Sequence, residues 1–256
     1  MRSLIAFTKK EWMEQVRSSR LVVLTLVFVL FGIMNPLFAK LTPWLFELLA
    51  DTMKESGLVV TEVYVDALTS WEQFFKNVST VLIIFVLMES NVFTKEYQSG
   101  TLIPVLTKGL ERYKVVLSKT TMLTALWSAG YWMYYGVTYA YNSYYWDNGI
   151  AKHLLFSAVC WWVFGLFVVM LMVLFSSLSK ANTGVLLGTG GVAFSAYLFT
   201  LLPTAKPYSP GKLMGSGALL TGKEAVGEYV PALIITLLLC VVCVALSVPV
   251  LNKKRL

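Results

Sequence analysis

Long uncharged blocks separated by short clusters of charge set the pattern of this chain. The first runs from Arg20 to Lys40 and begins LVVLTLVFVLFGIMNPLFA. Further uncharged blocks run from Lys119 to Asp147, His153 to Lys180, Lys180 to Lys206 and Glu228 to Lys253. One more, NVSTVLIIFVLMESNVF from Asn77, is broken only by Glu89. A helix needs about 20 apolar residues to cross the hydrocarbon of a bilayer, and each block supplies a span. The pattern predicts an all-α membrane protein with one domain over 1–256. Six transmembrane helices are expected near 21–39, 77–94, 119–141, 154–177, 183–202 and 230–251.

Two polar stretches carry a helical period of their own. In MRSLIAFTKKEWMEQVRSSR, Ile5, Trp12, Met13 and Val16 fall near one face, while Lys9, Lys10, Glu14 and Arg17 point away. That spacing predicts an N-terminal amphipathic helix on the membrane surface, with Trp12 at headgroup level. Between the second and third spans, FTKEYQSGTLIPVLTKGLERYKVVLSK is longer than a simple return needs. Apolar Tyr97, Leu102, Val105 and Leu106 recur at helical spacing. Gly100 offers a break before Thr101, whose hydroxyl suits a helix cap. The first outer loop, 40–76, mixes apolar and acidic residues and is expected to form short helices over the outer face.

Composition agrees with the blocks. Hydrophobic residues make up 57% of the chain, charged residues 14%, and the mean hydropathy is +0.69. No soluble domain of this size is that apolar. Basic residues gather beside the termini and the second and fourth connections, so the positive-inside rule puts both termini in the cytoplasm of a plasma-membrane protein. The net charge of +7 then reflects orientation, and no nucleic-acid partner is expected. The charged start and the length of the first span argue against a cleavable signal peptide.

Candidate catalytic chemistry is sparse. GALLTGKE, Gly217 to Glu224, lacks the final hydroxyl of a phosphate-binding loop, follows no strand pattern and falls in an outer connection. Cys240 and Cys243 have the spacing of a redox or zinc half-site, yet they sit inside the last span with no second pair and only His153 in the chain. With Cys160, they are expected to be packing residues. Glu89 is the one strongly charged side chain inside a span, too little for an ion-coupled carrier. No catalytic site, metal or cofactor is expected in this chain.

Glu96-Tyr-Gln-Ser-Gly100-Thr101-Leu102, followed by Arg112 and Lys119, resembles the E-x-x-x-G-T-L…R…K signature of the permease subunits of type-2 ABC exporters. The basic amphipathic start and six spans extend the likeness over nearly the whole chain. The Pro-x-Ser-Arg turn usual in that family is replaced here by LTKGLER. The resemblance implies a partnership of two permeases, the second a copy or close homologue, with two separate ABC ATPase subunits carrying Mg-ATP. It also implies that Glu96, Gly100, Thr101, Leu102 and Arg112 belong to a coupling helix seated on the ATPase, with the helix of Trp12, Val16 and Arg17 clamping the same subunit.

Three further groups are candidates for the path itself. Glu89 stands near the inner mouth of its span. Tyr131 and Tyr135 belong to an aromatic run richer than an interfacial belt requires. Gly184 and Gly188, four apart, suit close helix packing, within the chain or at a dimer face. The aromatic excess and the scarcity of charge point to a hydrophobic or amphipathic peptide as cargo. A lipid, drug or ion is the alternative within transport. The alternative outside it is an anchor or sensor for an ATPase.

Overall fold

The computed structural model describes residues 2–55, 64–107 and 109–253. Among these residues the fold is all-α, without a strand. The helices are α1 (Arg2–Arg17), α2 (Ser19–Glu55), α3 (Ala67–Glu89), α4 (Thr94–Ser99), α5 (Ile103–Thr107), α6 (Arg112–Tyr145), α7 (Leu154–Leu178), α8 (Asn182–Leu198) and α9 (Val230–Lys253). Short 3-10 turns, the longest at Pro210–Thr221, join α8 to α9.

Five helical stretches are long and apolar enough to cross a membrane: Ser19–Leu48, Ala67–Ser99, Leu154–Leu178, Asn182–Leu201 and Val226–Lys253. The sixth expected span lies in α6, which is 34 residues long. Tyrosine, serine, threonine and two lysines dilute its hydropathy below the others. Exposed Val22, Leu26, Leu30, Ile83, Leu187, Phe194, Leu238 and Val241 give the bundle an apolar exterior. A surface that apolar is compatible with a membrane location.

Helix α7 is the hub, packed by α3, α6, α8, α9 and the 3-10 segment Pro210–Thr221. Fully 72% of its apolar window is buried, against 17% for α8. Helix α6 packs against α1, α2, α3, α7 and α9. Its aromatic side chains fill the core: Phe74 stacks on Tyr134 at 4.3 Å, and Phe85 meets Trp127 edge-on at 5.5 Å.

The connection expected over 40–76 differs in its described part, residues 56–63 lying outside the described residues. In place of a short helix after Lys40, α2 runs unbroken through Pro36 and Pro43 to Glu55. At 1.5 Å per residue its 37 residues extend about 55 Å, well beyond the hydrocarbon thickness. Pro36 has no N–H to give the Gly32 carbonyl, which accepts instead from Thr138 Oγ1 on α6 at 3.0 Å. Asn35 completes the joint. It donates to Tyr134 Oη at 2.9 Å and Thr138 Oγ1 at 3.3 Å, and it accepts from Asn77 on α3 at 2.9 Å. Helix α3 likewise begins ten residues before its expected span. Asp66 caps it by accepting from the Thr69 N–H at 3.0 Å, and Trp71 and Phe74 are buried in the core.

Candidate functional site

The signature residues meet at the end of the bundle that holds α1 and the last turn of α9. Helix α4 stops at Gly100, whose φ of 67° lies in the left-handed region that glycine alone enters freely. The chain turns, Ile103 N–H bonds the Gly100 carbonyl at 3.2 Å, and α5 begins. Pro104 takes the second position of α5, where no intrahelical N–H is needed. Leu102 turns inward and is buried against Phe7 of α1 and Val115 of α6. Gln98, Ser99, Thr101, Ile103 and Pro104 remain exposed. The side chains of Val105 and Leu106 lie outside the described residues.

Two charged members of the signature, Glu96 and Lys119, are inside. Glu96 is buried, with Oε1 2.7 Å from Lys10 Nζ and Oε2 3.0 Å from Lys119 Nζ. Glu11 on α1 closes a ring, contacting Lys119 at 2.7 Å and Lys10 at 3.0 Å. Lys119 adds the Val92 carbonyl at 3.2 Å, and Lys10 adds Glu14 at 3.1 Å. Each ammonium donates two hydrogen bonds, Lys10 to Glu11 and Glu96 and Lys119 to Glu11 and the Val92 carbonyl, with the third contact of each an ion pair to a carboxylate. Burial depresses the Lys10 pKa, but its hydrogen bond to Glu96 and the charges of Glu11 and Glu96 outweigh burial and raise it. Three carboxylates, Glu11, Glu14 and Glu96, lie within 4.8 Å of one another, and the Lys10 ammonium holds the position a metal ion would take.

Arg112 opens α6 and donates to the Leu251 and Asn252 carbonyls at the end of α9. A guanidinium there satisfies carbonyls without intrahelical partners and meets the negative end of the helix dipole. Ile103, Thr107, Leu110, Arg112, Val248 and Asn252 line an open groove of about 660 Å³ between α5, α6 and α9.

Helix α1 presents its faces in an order opposite to that of a soluble helix. Phe7, Glu11 and Gln15, four apart, face the bundle, while Ile5, Trp12, Met13 and Val16 are exposed. Arg17 is also exposed. Gln15 donates to Glu89 Oε1 at 2.7 Å. Glu89 therefore ends α3 buried against α1, with its second oxygen unpartnered.

The other path candidates are dispersed. Tyr131 is fully buried and bonds the Ala158 carbonyl at 2.7 Å, and Tyr135 packs on Trp71 and Trp132. Gly184 and Gly188 turn toward α7. A Cβ on either would stand 2.3 Å from Ser179 Oγ or Phe175 Cδ1 respectively, so both serve packing within the chain. Gly190 and Gly191 meet no atom within 4 Å. None of Glu89, Tyr131 and Tyr135 lines the largely apolar cleft of about 480 Å³ between α3, α7 and α8. That cleft is formed by Leu82, Val86, Trp161, Phe164, Thr189 and Phe194, among others.

GALLTGKE lies at the opposite end. Its first half belongs to the 3-10 segment, Lys152 N–H bonds the Leu220 carbonyl at 3.0 Å, and Leu219 and Leu220 are buried. The Gly222 N–H is spent on Leu219, and Glu224 accepts from Tyr229. This backbone forms no cradle for phosphate. The three cysteines are free.

Glu11 and Gln15 are the site residues that sequence reasoning missed. Their four-residue spacing from Phe7, opposite the Ile5–Trp12–Val16 stripe, was the available signal. Comparison with known protein families, curated proteins and solved structures finds no match to this chain.

Proposed function

We propose that this chain is the membrane-spanning subunit of an ATP-driven exporter, similar in plan to the type-2 ABC permeases, and that residues 94–107 dock a separate ATPase. In this reading α6 is the sixth span, both termini are cytoplasmic, and a second copy or close homologue completes the transporter. The observation that carries it is the convergence of Glu96, Gly100, Leu102, Arg112 and Lys119 on one element. Glu96 and Lys119 pair with each other, Gly100 makes the turn, Leu102 pins it, and Arg112 ties the start of α6 to the end of α9. Those residues build the docking element, and its exposed Thr101, Ile103 and Pro104 meet the partner.

ATP-driven closure of the ATPases favours one arrangement of the spans through contacts made only in that arrangement. Mg-ATP stays on the partner. The α3–α7–α8 cleft, with no charged residue in its lining, supports a hydrophobic or amphipathic cargo.

The test is affinity purification of the tagged chain from its native membrane, followed by an ATPase assay. Recovery of a cassette ATPase whose capture is lost in Ile103→Asp supports the reading. A chain that brings down no ATPase refutes it.

A further inference from the structure

Little apolar contact holds α1 to the bundle. Phe7 is its one buried apolar side chain, in a small cluster with Leu102 and Val115 apart from the main core. The other buried side chains of α1, Glu11 and Gln15, are polar, and its apolar stripe faces outward, where a bilayer surface would hold it equally well in a detached position. The joint is therefore the closed ring Lys10–Glu11–Lys119–Glu96, in which charge alternates and every contact lies between 2.7 and 3.0 Å. Three of its four members are buried, and buried ion pairs are a poor source of net stability, because desolvation offsets attraction. Its geometry is strict, however. The two carboxylates come from α1 and α4, and the two ammonium groups from α1 and α6.

We propose that Glu11 and Lys119 are positioning residues that join α1, α4 and the start of α6 into one body, so that a displacement of the docking element is delivered to α6 and not absorbed by a loose N-terminal helix. This rests on the docking role proposed above. Two features support it. Glu96 bridges both lysines at the helix that leads into Gly100, so the ring sits directly behind the exposed docking residues. Gln15–Glu89 adds a second polar link from α1 to the end of α3, on the same face as Glu11.

The experiment follows amide exchange in the full chain in lipid nanodiscs, together with ATPase recovered from native membranes. Lys119→Met leaves two carboxylates to Lys10 alone. It is expected to speed exchange in both 2–17 and 94–107 by about tenfold, with a similar loss of recovered ATPase, while α7 is unchanged. Adding Glu11→Gln removes the unpaired carboxylate but not the missing tie to α6, so the double variant should stay as impaired as Lys119→Met, whereas a defect caused only by unbalanced charge would be relieved. Should Lys119→Met fail to fold, Glu11→Gln alone carries the same test, since Lys119 keeps Glu96 and Val92.

Faster exchange confined to 2–17, recovery of both signals in the double variant, or unchanged ATPase recovery overturns the positioning role. If the unaltered chain recovers no ATPase, the docking proposal fails, and exchange alone decides whether the ring joins the two segments.

Discussion

Replacing Gly100 by alanine isolates the backbone of the docking element from every side-chain contact. At φ 67° and ψ 5° Gly100 is left-handed, and a Cβ there would meet nothing within 4 Å. The whole cost is therefore conformational, roughly 1–2 kcal/mol for an L-residue other than glycine. A smaller gain from reducing unfolded-state freedom, about 0.4–1 kcal/mol, offsets part of it in global stability but not in the local shape. The population with α5 correctly set against α4 should fall about 5- to 30-fold if the turn opens locally. ATPase binding to the purified chain should weaken by a similar factor, with faster amide exchange at 101–107 and a melting midpoint lowered only slightly. Asparagine enters the left-handed region more readily, so Gly100→Asn should recover much of the loss. Equal ATPase affinity in Gly100→Ala, Gly100→Asn and the parent would refute the claim that this turn shapes the docking element.

Other substitutions test the packing that carries it. A Cβ on Gly165 would lie 2.1 Å from Trp127, a fully buried ring, so Gly165→Val should destabilise by about 1–3 kcal/mol in detergent melts. Gly190→Ala, inside α8 and facing open space, should stabilise slightly, by about 0.4–1 kcal/mol, in the same assay. Asn35→Leu removes the α2–α3–α6 joint. At about 0.6–1.7 kcal/mol per interhelical hydrogen bond in a membrane, it should lower the melting midpoint measurably. The Lys10 pKa is raised above its ordinary 10.5, so its contribution is full below that value and fades only as pH climbs through the higher folded value. A spin label at Lys9→Cys should therefore report α1 still attached at pH 10 to 10.5, and release there would contradict the ring.

Helix extents were legible wherever hydropathy changes sharply. The block after His153 predicts 154–177, and α7 is Leu154–Leu178. The start of α3 was not, because SWEQFFKN alternates core and surface side chains and reads as a polar connection. Trp71 and Phe74 are buried while Glu72 and Lys76 are exposed. Nor was the continuity of α2 through two prolines, since the partner for the Gly32 carbonyl, Thr138, is distant in sequence. The turn at Gly100 was readable from glycine itself. The ring was not, because Glu11 and Lys119 are 108 residues apart and polarity on an N-terminal helix reads as solvent exposure. Tyr131 and Tyr135 stood out as an aromatic excess, and only packing reveals that they build the core.

The most direct test of the central claim is a cross-link from the exposed docking turn. The native cysteines lie within α7 and α9, Cys160 and Cys243 buried and Cys240 partly so. A thiol at Thr101→Cys therefore stands apart from them. The account predicts that in native membranes it cross-links to an ATP-binding subunit, while Tyr144→Cys, at the far end of α6, does not. Reaction of Thr101→Cys only with reagents confined to the outer face, or no ATP-binding partner at this position, would contradict it.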